Sequence, residues 1–100
     1  MRARIWIGEV PLDRSDAYRD LMVSRALPEY TATAGNLGAW CLRRHLEGRA
    51  EFVMLTFWES EAAIRAFSGD DISVARYYDF DPEMLVEMRP NADHYEVFRL

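Results

Sequence analysis

Hydrophobic and polar positions are patterned most clearly in residues 51–67, EFVMLTFWESEAAIRAF. Phe52, Met54 and Trp58 fall on one face of an extended chain and Val53, Leu55 and Phe57 on the other. The run stops at Glu59 and Ser60, and a helical spacing follows with Ala63, Ile64 and Phe67 on one side. A strand that is apolar on both faces needs cover on both. One helical layer supplies only one of them, so a second cover is required.

The remaining chain divides into similar elements. Ala3, Ile5 and Ile7 alternate with Arg4, Trp6 and Gly8, which predicts a strand over residues 2–9. Asp13 is placed to cap a helix running through AYRDLMVSRAL, which Pro28 ends or kinks. Its apolar residues point two ways: Ala17, Tyr18 and Leu21 on one side, Val23, Leu27 and Tyr30 on the other. Gly35-Asn36 marks a turn, and residues 37–45 read as a second strand. Glu47-Gly48 then makes a tight hairpin with the strand at 50–58. Ser60 caps the next helix and Ser68-Gly69 stops it. One or two short helices are expected around VARYY and PEMLVEM, and residues 91–100 close the chain as a strand.

The order β-α-β-β-α-β predicts an α+β, ferredoxin-like fold with a four-stranded antiparallel sheet and both helices on one face. The other face would carry the second set of large apolar residues. Packing two such sheets together is the simplest second cover, so a homodimer is expected.

Composition narrows the function classes. One hundred residues make a single domain, 1–100, and half of them are hydrophobic, as in a globular chain. All 12 basic residues are Arg against 17 acidic ones, and a net charge of −5 argues against nucleic-acid binding. The single Cys41 excludes an intrachain disulfide, reads as a buried structural thiol and fits a reducing compartment. The opening MRARIWIGEV lacks the apolar core of a signal peptide, and no run approaches the roughly 18 apolar residues of a membrane span. A cytoplasmic location is expected.

Few residues carry chemistry. Trp58 is either a pocket wall that stacks on a flat ligand or a core residue at the strand-to-helix corner. His94 is a candidate general base or a strand-edge histidine bonded to a neighbour, and His45 beside the hairpin is solvated. Arg76, Tyr77 and Tyr78 together offer a cation and two phenols suited to a carboxylate, phenolate or quinone. Alternatively the tyrosines cap the core and Arg76 pairs with Asp79 or Asp81. Two isolated histidines do not make a zinc site, which wants roughly three or four ligands. The acidic stretch Asp70, Asp71, Asp79, Asp81 and Glu83 lacks calcium-loop spacing and reads as a solvated face. No metal and no phosphate loop are indicated.

EFVMLTFWESEAAIRAF, followed by GDD, ARYY and the terminal HYEV, resembles the antibiotic biosynthesis monooxygenase-like domains of the dimeric α+β-barrel superfamily. The resemblance spans essentially the whole chain, and its best motif is Trp58, the small cap Ser60, then Glu-Ala and Phe67. It implies a homodimer and a cofactor-independent monooxygenase, or a related enzyme, acting on a small flat aromatic or polyketide-like molecule. Trp6, Trp58 and Phe67 would wall the pocket, Arg76 with Tyr77 or Tyr78 would orient an oxyanion, and His94 would remove a proton. The alternative is a non-catalytic dimeric barrel that binds a ligand or serves as a structural accessory. The haem-degrading branch has an Asn on the first strand, a Trp on the second helix and a His on the helix after it. The corresponding places hold Ile7 or Gly8, Phe67, and Arg76 or Tyr77, so ligation of that type is lost. The quinol-oxygenase branch carries a polar Asn where this chain has Met54.

Overall fold

A computed structural model describes residues 1–99. Strand β1 spans Arg2–Pro11, β2 Asn36–Leu46, β3 Arg49–Trp58 and β4 Asp93–Glu96. They form one antiparallel sheet in the order β2-β3-β1-β4. The ferredoxin-like sheet is therefore present, with β3 and β1 central. Glu47-Gly48 is the hairpin between β2 and β3, and Gly48 takes the positive φ of 69°.

The sheet has two unlike faces. Val10, Ala50, Phe52, Met54, Thr56 and Trp58 point toward the helices and are buried. On the reverse face Ile5, Ile7, Val53, Leu55 and Phe57 are only half-buried, while Trp40 and Leu42 are exposed. One helical layer thus covers one face, as the two-sided pattern of β3 requires, and the other is open within a single chain.

Residues 12–32 form one helical rod with an irregular middle. A 3-10 turn, Leu12–Arg14, leads into α1, Ser15–Leu21, then a π turn at Met22–Ala26 and α2, Leu27–Ala32. Two expectations change here. Asp13 lies inside the opening 3-10 turn, and α1 has no side-chain cap. The rod also buries a single line, Tyr18, Met22, Ala26 and Tyr30, while Val23 is exposed. A spacing of four overshoots an α-helical turn, so such a line drifts around the helix unless an extra residue is absorbed. The π turn absorbs it, with Leu27 N–H, immediately before Pro28, reaching back to Met22 O. The helix passes Pro28 and ends at Ala32.

Helix α3, Glu61–Ser68, begins as its sequence predicts, with Ser60 Oγ accepting from Ala63 N–H at 3.2 Å. Ala63, Ile64 and Phe67 are its buried side. Gly35, at φ 88°, allows the β2 approach to pass close by, since a Cβ there would meet the Ala63 Cβ at 2.4 Å.

The segment from 70 to 92 departs most from expectation. VARYY is not helical: Val74 bridges Asn91, and Ala75 N–H bonds Pro90 O at 2.9 Å. Those long-range bonds use the groups that a helix would satisfy locally. The only helix there is the single turn α4, Asp81–Met84. Strand β4 is also shorter than residues 91–100. Glu96 already lies opposite Arg2, Val97 N–H makes one bond to Met1 O, and β1 offers no partner beyond it.

Candidate functional site

The helix-facing side of the sheet and the strap of residues 70–92 bring the candidate residues close together, in three groups. The first is a row of rings. Trp58 is fully buried at the end of β3, and its indole N–H donates to Thr56 Oγ1 at 2.9 Å. Its ring lies 5.6 Å from Phe67 and 6.4 Å from Tyr30, and Tyr30 stacks on Phe67 at 4.2 Å. The Arg76 guanidinium sits 4.5 Å from the Phe67 ring centre and 5.2 Å from that of Tyr78, which stacks on Phe80. Arg76 also donates to Phe67 O and pairs with Glu29 at 2.9 Å. Its carboxylate is Glu29 on α2, not Asp79 or Asp81: Asp79 pairs with Arg25, and Asp81 is buried elsewhere.

The second group is Trp6 with Tyr77. Their rings meet edge to face at 6.1 Å, and the Tyr77 hydroxyl donates to Arg89 O. Trp6 lies along its own strand because Gly8 has no Cβ, which would fall 2.4 Å from the indole. The indole N–H of Trp6, beside Tyr77, and the Tyr78 hydroxyl, beside Glu29, are buried without a hydrogen bond of good geometry.

The third group lies at the β4 edge. His94 faces Arg4 across the β1–β4 ladder, and Arg4 Nη1 is 2.9 Å from His94 Nε2. An arginine can only donate, so Nε2 is the acceptor and Nδ1 carries the ring proton. Burial, then the charge of Arg4, hold the His94 pKa below its ordinary value. The ring is therefore neutral, but its basic nitrogen is already engaged. Arg2, Glu61, Tyr95 and Glu96 share a shallow recess with it.

Arg4 is a residue that sequence reasoning passed over. A charge alternating with isoleucines on a strand reads as solvent-facing, yet Arg4 is 2% exposed. It donates to Ile72 O at 2.5 Å and Val74 O at 3.2 Å, which tie the strap to the sheet. Burial lowers its pKa. Asp81, 1% exposed, holds the middle of the strap, accepting from Tyr18 O–H and from Tyr78 N–H, both at 2.7 Å. Burial raises the pKa of Asp81 and of Tyr18, and pushes Tyr30 up to about 12. Only the distant contacts of these residues reveal them; their sequence neighbours carry no signal.

Cys41 is half-buried on β2, and burial raises its thiol pKa, which suits an inert side chain. His45, on the hairpin, lies 3.3 Å from Ser15 Oγ. Among the described residues no three His, Cys, Asp or Glu side chains gather as a metal site. No helix among them is long and apolar enough to cross a membrane.

Among solved structures, the chain is similar to a MhuD mutant with two manganese protoporphyrin IX molecules bound per active site. The two share 20% identity over 97% of this chain and 94% of the other, with a TM-score of 0.67. That likeness is one of fold. No curated protein matches the sequence. The model of the family described as antibiotic biosynthesis monooxygenase matches residues 8–75, from the end of β1 through α3 into the strap, and the chain belongs to that family.

Proposed function

We propose that this protein works as a homodimer that binds a small flat aromatic, polyketide-like molecule between the helices and the sheet, and oxygenates it without a cofactor. The observation that carries the reading is the Trp58–Phe67–Arg76–Tyr78 row of rings with the Arg76 cation set among them. Flat π faces with a few hydrogen-bonding groups are what such a ligand requires. Trp6, Trp58 and Phe67 are the walls of this site, and Arg76 with Tyr77 and Tyr78 is its polar rim. Oxygenation starts with removal of a proton from a reduced ring carbon of the ligand; the carbanion gives its electron pair to oxygen, a carbon–oxygen bond forms as a hydroperoxide, and loss of water leaves one oxygen atom on an oxidised ring. His94 can take that proton only when Arg4 withdraws its hydrogen from Nε2. Haem-type chemistry fits poorly: Arg76 has no lone pair for iron, Tyr77 donates to Arg89 O, and Phe67 is stacked on Tyr30.

A second reading, a dimeric barrel that binds a ligand without reacting, is favoured by a specific feature. His94 and Arg76 are both paired within the protein, to Arg4 and Glu29. Oxygen uptake by chelator-treated protein, given anthrone and naphthohydroquinone substrates, separates the two. Uptake above the buffer rate, with one atom of labelled oxygen in the product, supports the enzyme. Saturable binding without uptake leaves the second reading, and neither uptake nor binding removes both.

A further inference from the structure

The rings between helices and sheet are packed against one another. Tyr18 meets Phe52 at 5.0 Å, Trp58 lies 5.6 Å from Phe67, and Tyr18, Phe52 and Trp58 are fully buried. A flat molecule reaches them only when one of the layers that enclose them moves. The sheet is a continuous backbone ladder, and the rod from Leu12 to Ala32 is helical throughout. The strap is held differently.

Its two ends are joined to each other and to the sheet. Ala75 N–H bonds Pro90 O and Ala92 N–H bonds Ser73 O, both at 2.9 Å, and Arg4 ties Ile72 O and Val74 O to β1. Residues 76–89 therefore form an Ω-shaped loop closed at its neck. Among the described residues one backbone–backbone bond, Val86 N–H to Glu9 O at 2.8 Å, fastens this loop to the sheet, and none fastens it to the rod. Side chains hold it there instead. Asp79 pairs with Arg25 and Arg76 with Glu29, both at 2.9 Å, and Asp81 accepts from Tyr18 O–H at 2.7 Å. Both ion pairs reach solvent, where such pairs are weak and screened by salt. Arg25, which also lies over the Phe80 ring at 5.0 Å, belongs to the π turn in the irregular middle of the rod.

We propose that residues 76–85 are the door of the ligand site, swinging away from the rod about the neck and Val86, with Arg25–Asp79, Arg76–Glu29 and Tyr18–Asp81 as its latches. The inference rests on the reading of a ligand site between helices and sheet. Closed, the door lays Tyr77 against Trp6 at 6.1 Å and Phe80 against Tyr18 at 5.9 Å. Open, it bares both rings to an entering molecule. Closure behind the ligand then excludes water from it.

The test fastens the door. Arg25→Cys and Asp79→Cys, in a chain that also carries Cys41→Ala, are joined by a short, reducible bis-methanethiosulfonate. Association of naphthohydroquinone under argon is followed by tryptophan fluorescence. The linked protein is expected to bind at least roughly tenfold more slowly than the same protein after reduction. Should that variant not fold, wild type decides. The probe is uncharged, so salt acts on its entry through the two exposed latches, and its association is expected to quicken roughly three- to tenfold between about 0.05 and about 1 M sodium chloride. A linked protein that binds as fast as the reduced one, or a wild-type rate that salt leaves unchanged, overturns the door while the site stands. If wild type and the reduced variant both fail to bind the probe, the ligand site itself fails and the door fails with it.

Discussion

Arg4 Nη1 donates to His94 Nε2 at 2.9 Å across the β1–β4 ladder, joining the two ends of the chain. The contact exists only while the imidazole is neutral. His94 has a folded pKa below its ordinary 6.5, so the unfolded chain binds its proton first as the pH falls. The stability it contributes is complete above that ordinary value and is lost as the pH falls through the depressed folded one. Melting temperatures of wild type and His94→Gln are therefore expected to lie close together above pH 6.5 and to separate toward acid pH as wild type falls, because Gln offers Arg4 an acceptor that does not titrate. Curves that stay parallel from about pH 7.5 to 4.5 would show that the contact carries no linkage.

Asp81 fastens the middle of the strap. Its two oxygens take Tyr18 O–H and Tyr78 N–H, and removing them leaves two buried donors without acceptors. Asp81→Ala is expected to cost about 2–4 kcal/mol, whereas Asp81→Asn, which keeps one acceptor, costs roughly 1. Urea denaturation measures both. Equal losses would mean that packing at this position matters and the hydrogen bonds do not.

How far the sequence disclosed the molecule depends on how local each cause is. Ser60 as a cap and Gly48 in its hairpin are decided by immediate neighbours, and both stand where the pattern places them. The two-faced β3 announces its burial through alternation alone. The rod from Leu12 to Ala32 is harder, because a π turn realigns Tyr18, Met22, Ala26 and Tyr30 and no simple period describes that line. VARYY has a helical composition, but Val74 and Ala75 bond to residues some fifteen positions away. Arg4 was illegible for the same reason. Its acceptors lie in the strap and in β4, so its burial is a property of the assembled fold. Of the candidate site, the aromatic members could be named from sequence; the buried ions that hold the strap over them could not.

Trp58 has two roles to distinguish. As a core residue, fully buried against Tyr30 and Phe67, it should cost about 3–5 kcal/mol when changed to Ala. Trp58→Phe loses chiefly the bond to Thr56 Oγ1 and some volume, for about 1–2 kcal/mol. Denaturant titration of both variants gives these values. A Trp58→Ala protein that keeps wild-type stability but no longer binds aromatic probes would make Trp58 a pocket wall and not part of the core.

The open face of the sheet sets the last expectation. In register, Ile5, Leu55 and Trp40 form one row across β1, β3 and β2, and Ile7, Val53 and Leu42 form the next. Trp40 sits edge-on to Phe57 at 5.6 Å, over Gly38, where a Cβ would come within 2.6 Å of its ring. A polar margin of Glu9, Glu51 and Arg44 borders these rows, and Arg44 bonds Glu51 at 2.7 Å. Each large side chain covered by a second copy contributes about 1.5–3 kcal/mol, so several together can hold a dimer. Sedimentation of wild type is expected near twice 11.7 kDa at micromolar concentration. Leu55→Arg places a charge in the middle of that surface without touching the helix-side core. It should sediment as a folded monomer with an unchanged circular dichroism spectrum. A wild-type monomer would refute this dimer outright, and a Leu55→Arg protein that still dimerises would place the contact on another surface.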